Sequence, residues 1–194
     1  MAKTTSAAKF YNQFWKKTLS RFEGSAGLLS LWMTEGWSPG KWSEKVVKIL
    51  VQTAKECFEG QGIEVVAKNS PDKKFHRSEY FNIDLIAYQN DPDNWRKPVL
   101  ALEHENSQDE DWLAYCIWKL LSIDCDYRIL FAYPNPKATV QVQNPEQLEK
   151  LIKDALKHKD HRGKSIMLIT GTWYTEARRG RGGWNNALHR KIIK

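Results

Sequence analysis

The sequence predicts one α/β domain in which a mixed central sheet is flanked by helices. The main observation is the order of the hydrophobic patterns, which runs helix, three strands, helix, strand, helix, strand. A chain of 194 residues is long enough for one buried core and short for two. With 41% hydrophobic and 27% charged residues, the composition is typical of a globular protein. We expect the domain to occupy residues 1–175, followed by a basic Arg/Gly-rich extension over residues 176–194.

Two helices are predicted before the first strand. Residues 9–22 place large apolar side chains at near-helical spacing and basic side chains on the other face, which predicts an amphipathic basic helix that packs on the core. Residues 41–58 carry a broader apolar stripe and are followed by Gly60 and Gly62, which end the helix. We assign residues 9–40 to N-terminal helices and residues 41–175 to the core.

The remaining elements follow from shorter patterns. β-Branched and aromatic runs predict strands, longer runs with one apolar face predict helices, and Gly, Pro and Asn-Asp segments separate them. The predicted strands span residues 63–68, 80–88, 99–106, 127–133 and 165–170, and the predicted helices between them span residues 109–122 and 146–158.

The formal net charge of +7 favours an anionic partner, with nucleic acid the first candidate and a membrane surface the second. No apolar run approaches the ~18 residues that span a bilayer, and the N-terminus lacks the apolar core of a signal peptide. We therefore expect a cytoplasmic protein that is not inserted in a membrane. The three cysteines, Cys57, Cys116 and Cys125, are widely spaced in apolar segments and are expected to be reduced core residues.

Acidic residues interrupt two neighbouring apolar strands. Asp84 lies in the second predicted strand, and Glu103 and Glu105 lie in the third. A carboxylate in an apolar strand is unfavourable unless it is paired or binds a cation. Alternation puts Glu103 and Glu105 on one face and His104 on the other, where a structural role is expected. Three converging carboxylates suit Mg²⁺ or Mn²⁺, and the basic charge makes phosphodiester hydrolysis the matching reaction.

This arrangement resembles the PD-(D/E)XK nuclease superfamily over roughly residues 41–133, in an E-x-E variant of its motif. The resemblance implies a restriction endonuclease-like αβββαβ core and a Mg²⁺-dependent endonuclease, with DNA expected over RNA. By the same resemblance Asp84 is the motif's aspartate, Glu103 its second acid and Glu44 the auxiliary helix glutamate. Asp84, Glu103 and Glu105 are then the catalytic residues. The implied metal ligands are Glu44, Asp84, Glu103 and the carbonyl of His104.

The sequence departs from the family pattern at two positions. Ile83 precedes Asp84 where the motif name has proline, and Glu105 stands where the family usually has lysine. The family's lysine is thought to activate the attacking water, whereas a glutamate can only accept a proton or bind a second metal ion. Lys119 on the following helix is another source of positive charge, but its place off the apolar stripe predicts a solvated side chain.

Basic residues before the second predicted strand and near the end of the sequence are the candidates for contact with a nucleic-acid backbone. They are Arg77, Arg178, Arg179, Arg181 and Lys191, with Trp184 available for base stacking. A disordered basic end without a fixed role is the alternative for residues 176–194.

Two other functions are open from the sequence. One is a catalytically degenerate nuclease-fold module that binds nucleic acid or a protein, for which the missing lysine is the main argument. The other is a subunit of a larger assembly that docks through the Trp-rich N-terminal region. A homodimer would suit cleavage of both strands of a duplex, but the sequence identifies no interface.

Overall fold

The computed structural model describes residues 6–25, 39–68, 82–89, 97–134, 142–171 and 188–194. The helices and strands follow one another in the predicted order, and one further strand follows at the end. The helices are α1 (Ala7–Gly24), α2 (Pro39–Cys57), α3 (Glu110–Ser122) and α4 (Pro145–Leu156), with a 3₁₀ turn at Lys159–His161. The strands are β1 (Ile63–Ala67), β2 (Leu85–Gln89), β3 (Pro98–Glu105), β4 (Tyr127–Ala132), β5 (Ile166–Gly171) and β6 (Leu188–Ile193).

The strands form one six-stranded mixed sheet in the order β1-β2-β3-β4-β5-β6. β1, β2 and β3 form an antiparallel meander, β3, β4 and β5 are parallel, and β6 returns antiparallel to β5. The parallel pairs are joined through α3 and α4, as parallel strands require a crossover connection. The predicted α/β class and mixed sheet are confirmed.

The strand that contains the first acidic residue was predicted over residues 80–88, and β2 begins only at Leu85. Asn82 has a left-handed backbone with φ of 59°, which interrupts regular strand geometry and which Asn tolerates better than most residues. Asp84 therefore lies immediately before the strand. Of residues 9–40, which were assigned to N-terminal helices, residues 26–38 lie outside the described residues.

The end of the chain differs from the sequence prediction. Residues 176–194 were predicted to be an extension of the domain, but β6 pairs with β5 over its whole length. Leu188 and Ile193 at its two ends are buried in the core. The last strand is therefore part of the sheet, because its apolar ends cover the edge of β5.

Helices α1 and α2 cover one face of the sheet. Phe10 of α1 stacks on Tyr127 of β4 with 3.8 Å between ring centroids. The hydroxyl oxygen of Tyr11 accepts a hydrogen bond of 3.1 Å from the backbone N–H of Arg128. The prediction that the basic amphipathic helix packs on the core is thus confirmed. None of the described helices has an apolar stretch long enough to cross a bilayer.

Helices α3 and α4 cover the other face, and α3 is fixed at both ends. Asp109 caps its first turn by accepting from the N–H of Trp112 at 2.9 Å. Arg128 is buried and donates to the carbonyls of Leu120 and Ile123, at 3.0 and 2.7 Å. These bonds fix α3 against the sheet. All three cysteines are buried and free, as predicted.

Replacing Arg128 with methionine is expected to lower the free energy of unfolding by about 2–4 kcal/mol, because the carbonyls at the end of α3 lose charged donors in a buried place. Urea unfolding followed by circular dichroism measures this loss. Arg162→Met, which removes an exposed arginine, is the matched control and should change stability by less than about 0.5 kcal/mol. Equal stability of the two variants would contradict the proposed role of Arg128.

Candidate active site

Asp84 and Glu103 meet where β2 and β3 adjoin, and we call them the acid pair. Leu85 pairs with Leu102 in the antiparallel register, so Asp84 lies opposite Glu103 on the same face. Glu103 is buried, with 2% of its surface exposed, and the Asp84 side chain is 20% exposed. The backbone N–H of His104 donates to Oδ2 of Asp84 at 3.0 Å, which fixes the orientation of that carboxylate.

Two lysines flank the acid pair. The Nζ atom of Lys119 lies 2.7 Å from Oε1 of Glu103, and both side chains are buried. The Nζ atom of Lys68 lies 3.6 Å from Oδ1 of Asp84, with about a third of the lysine side chain exposed. The prediction that Lys119 is solvated is wrong, because α3 turns this position toward β3 and Glu103 holds its ammonium group inside.

The protonation of Glu103 is finely balanced. Burial, followed by the negative charge of Asp84, raises the pKa of Glu103 to about 7, while the hydrogen bond and charge of Lys119 oppose the rise. Burial lowers the pKa of Lys119, but the hydrogen bond and charge of Glu103 outweigh it, and the pKa of Lys119 is raised. Near neutral pH, both protonation states of Glu103 are therefore populated, beside a lysine that stays charged.

Glu105 lies on the same face of β3, and its two oxygens have separate partners. Oε1 accepts from the N–H of Ser107 at 2.6 Å. Oε2 accepts a close hydrogen bond from the indole N–H of Trp112 and a weaker one from the thiol of Cys116 at 3.5 Å. These donors hold the Glu105 carboxylate against α3 at the edge of the site. Both of its oxygens already accept hydrogen bonds there.

Glu44 lies apart from the other acids. Its side chain is 65% exposed and accepts a hydrogen bond of 2.6 Å from Lys48, one turn further along α2. The neighbouring Ser43 does contact the site, through a close hydrogen bond from the amide of Asn106. Within the described ranges, no group of three or more His, Cys, Asp or Glu side chains is placed to hold a metal ion. The structure thus brings together the acid pair and leaves Glu44 on the surface.

The side chain of His104 lies on the other face of the sheet, as alternation predicts. Its Nε2 atom is 2.9 Å from the hydroxyl oxygen of Tyr133, which also accepts from the indole N–H of Trp42 at 3.0 Å. Burial lowers the pKa of His104 to about 3, so the imidazole is neutral. This network packs against the face of β3 opposite the acid pair, while the backbone N–H of His104 holds Asp84.

Most of the predicted nucleic-acid contacts fall on residues that the structure does not describe. Arg77, Arg178, Arg179 and Arg181 all lie outside the described ranges. Lys191 is in β6, where its ammonium group is 2.7 Å from a carboxylate oxygen of Glu149 on α4.

Lys68 was not singled out from the sequence, although its position carries a signal. Ala67 pairs with Leu85 in the β1–β2 register, so the next residue along β1 lies opposite Asp84. The backbone N–H of Lys68 indeed donates to the Asp84 carbonyl at 2.9 Å. Aligning the ends of the two strands would have identified this lysine.

Comparisons of the chain with protein-family models, with curated proteins and with solved structures find no significant match.

Proposed function

We propose that this protein is a divalent-metal-dependent nuclease, a DNA endonuclease that hydrolyses phosphodiester bonds. The observation that carries the proposal is the buried ion pair of Lys119 and Glu103 beside Asp84. A buried ion pair contributes little net stability compared with apolar side chains of similar size. A carboxyl group with a raised pKa beside a second acid and a lysine is typical of catalytic sites.

The order of elements supports a restriction endonuclease-like core. α2, β1, β2, β3, α3 and β4 follow one another in the αβββαβ order, with an antiparallel meander and then a parallel strand. Asp84 and Glu103 adjoin in this core, as the resemblance implies. Lys119 offers the positive charge that is missing at Glu105, from α3 instead of β3.

The donor atoms suit Mg²⁺ or Mn²⁺. Mg²⁺ keeps several waters and is commonly held by one or two carboxylates together with substrate phosphates, so the acid pair is a sufficient protein contribution. Asp84 and Glu103 would hold the ion, and the His104 carbonyl remains a proposed ligand. When bound, such an ion polarises a phosphoryl oxygen and lowers the pKa of a water.

The side chains then have separate tasks. Asp84 is oriented by the backbone N–H of His104. Lys119 stays charged in the buried part of the site and offsets the negative charge that develops on the phosphate. Glu105, held by Ser107 and Trp112, accepts a proton at the edge of the site. Lys68 presents a second, more exposed ammonium group to the phosphate.

Cleavage of supercoiled plasmid and of circular single-stranded DNA, with Mg²⁺ or Mn²⁺ and with EDTA, tests this proposal. We expect metal-dependent cleavage by the wild type and a loss of roughly 10³-fold in Asp84→Asn and Glu103→Ala, because each removes a metal ligand worth several kcal/mol. Asp154→Asn, which changes an exposed carboxylate on α4, is the control and should cleave normally. If the purified wild type cleaves DNA no faster than Glu103→Ala does, the enzymatic function is excluded.

A catalytically degenerate module is the second candidate, favoured by the exposed position of Glu44 and its ion pair with Lys48. It predicts nucleic-acid binding that falls with salt but does not respond to metal or to Asp84→Asn. Binding measured in the same preparations, with and without Mn²⁺, separates the two functions.

A further inference from the structure

Three large aromatic side chains stand on the solvent side of α3. Trp112, Tyr115 and Trp118 are 49%, 43% and 48% exposed, and among the described residues these are the exposed large hydrophobic side chains. We call them the aromatic ladder. Their ring centroids are separated by 5.5 Å and 5.8 Å, and the rings of Tyr115 and Trp118 are stacked. Clustered exposed apolar surface of this kind usually marks a binding site.

The aromatic ladder is continuous with the candidate active site. The indole N–H of Trp112 donates to Glu105. The ammonium group of Lys119 lies 5.3 Å from the ring centroid of Tyr115 and, in the same position, 2.7 Å from Glu103. One lysine thus contacts both the acid pair and the middle ring. A ligand bound at the acid pair has the aromatic rings beside it.

We propose that the aromatic ladder is a stacking platform for the bases of single-stranded nucleic acid. The proposal rests on the proposed function, which locates a phosphate of that strand at the acid pair. Every nucleobase has a flat π-face that stacks on aromatic side chains. A duplex turns those faces inward against neighbouring bases, so only a single strand, or an unpaired end or loop, presents them to the rings.

Charge favours nucleic acid over a second copy of the chain as the occupant. Each chain carries a formal net charge of +7, so two copies repel and a polyanion is attracted. Lys68, beside the acid pair, is a partly exposed cation within reach of a backbone phosphate. The acids on this helix, Glu110 and Asp111, are confined to its first turn.

Binding without divalent metal tests the platform separately from catalysis. The probes are a fluorescently labelled twelve-residue oligothymidylate, an abasic strand of the same length and charge, and a hairpin duplex, all in EDTA. We expect the wild type to bind oligothymidylate about tenfold or more tightly than either other probe, as base stacking alone accounts for such a difference. Fluorescence anisotropy measures affinity, and quenching of tryptophan emission reports contact with the rings.

Trp118→Leu and Tyr115→Leu should each weaken oligothymidylate binding about tenfold and leave binding of the abasic strand unchanged. Trp118→Phe keeps a ring and should retain most of the affinity, while circular dichroism shows whether each variant is folded. Equal affinity of Trp118→Leu and wild type for oligothymidylate overturns the proposal. So does concentration-dependent self-association of the wild type that Trp118→Leu abolishes, because a second copy would then occupy the ladder.

The outcomes also distinguish the ladder from the nuclease reaction. If the wild type binds oligothymidylate through the rings but cleaves no DNA with Mn²⁺, the stacking platform is supported and the catalytic proposal is excluded. Normal cleavage of single-stranded DNA by Trp118→Leu and Tyr115→Leu, with unchanged affinity, removes the platform and leaves the catalytic proposal intact.

Discussion

Lys119→Met is expected to lower the proposed metal-dependent cleavage by about 10²- to 10³-fold, because it removes the buried charge that we assign to offsetting the charge that develops on the phosphate. It is also expected to destabilise the protein by an amount that depends on pH. Both effects arise from the same 2.7 Å contact between Lys119 and Glu103. Removing one member of a buried ion pair leaves the other charge without compensation.

The direction of the pH effect follows from the pKa of Glu103. The pKa of Glu103 is about 7 in the folded protein, whereas its ordinary value is 4.5. The folded state therefore binds this proton more tightly than the unfolded state does. The stability that this proton contributes is fully present below about pH 4.5 and is lost as pH rises through about 7. Lys119 opposes the rise in the pKa of Glu103, so Lys119→Met raises that pKa further and extends the loss of stability to higher pH.

At pH 5 Glu103 is mostly protonated in the folded state, so we expect Lys119→Met to change the free energy of unfolding by about 1 kcal/mol or less. At pH 8.5 Glu103 must take up a proton about 1.5 pH units above its folded pKa or remain charged without a partner, so we expect a loss of about 2–3 kcal/mol, or roughly 4–12 °C in Tm. Urea unfolding at both pH values measures the difference. Lys157→Met, which removes an exposed lysine of an exposed ion pair, is the control and should show neither effect.

The charge and the shape of Lys119 are separated by Lys119→Arg. Arginine keeps the positive charge, so it should recover most of the stability at pH 8.5, while the larger planar group positions its charge differently and recovers cleavage only in part. Equal destabilisation of Lys119→Met at pH 5 and pH 8.5 would contradict an ionic role for the contact. Unchanged cleavage by Lys119→Met would remove Lys119 from the reaction.

The sequence was sufficient to predict most of the helices and strands, because their patterns are local. Apolar spacing along α2 or alternation along β3 depends on a few neighbouring residues, and these segments lie within three residues of their predicted limits. The acid pair was also predictable, since Asp84 and Glu103 stand in adjacent segments of an antiparallel meander. Only their register was needed to bring them together.

The rest of the site depends on contacts between distant parts of the chain. Lys119 is adjacent to the apolar stripe of α3 that contains Cys116 and Leu120. Its side chain is buried because of the way α3 packs on β3, which the local sequence does not show. β6 was missed because its central residues are exposed and basic, and its ends alone carry the strand signal. The surface position of Glu44 likewise depends on how α2 is rotated against the sheet.

Gly171→Ala is expected to destabilise the fold strongly, although alanine normally suits a strand better than glycine. A Cβ atom at position 171 would lie 2.5 Å from Cε1 and 2.6 Å from Cδ1 of Tyr133. The ring cannot withdraw easily, because Tyr133 is 1% exposed and its hydroxyl is held by Trp42 and His104. Overpacking of this kind costs about 1–3 kcal/mol, and the two disrupted hydrogen bonds add about 1 kcal/mol each, so we expect a total of about 3–5 kcal/mol.

The midpoint of urea unfolding measures this loss, and two further variants identify its cause. Gly40→Ala adds a methyl group at an exposed position of α2, where it meets no heavy atom within 4 Å apart from its chain neighbours and the backbone of its own helix, so stability should stay the same or rise by up to about 1 kcal/mol. Tyr133→Leu removes the obstructing ring. If the clash is the cause, Gly171→Ala combined with Tyr133→Leu loses less stability than the sum of the single variants, by about 0.5–3 kcal/mol.

The same substitution connects the core to the acid pair. The rings of His104 and Tyr133 have centroids 5.5 Å apart on the face of β3 opposite the acid pair, and the backbone N–H of His104 holds Asp84. A displaced Tyr133 therefore disturbs the donor that orients Asp84. At a temperature where Gly171→Ala is still folded, we expect weaker binding of Mn²⁺ than in the wild type, measured by calorimetry. Strictly additive stability losses together with wild-type Mn²⁺ affinity would show that Tyr133 and the acid pair are independent.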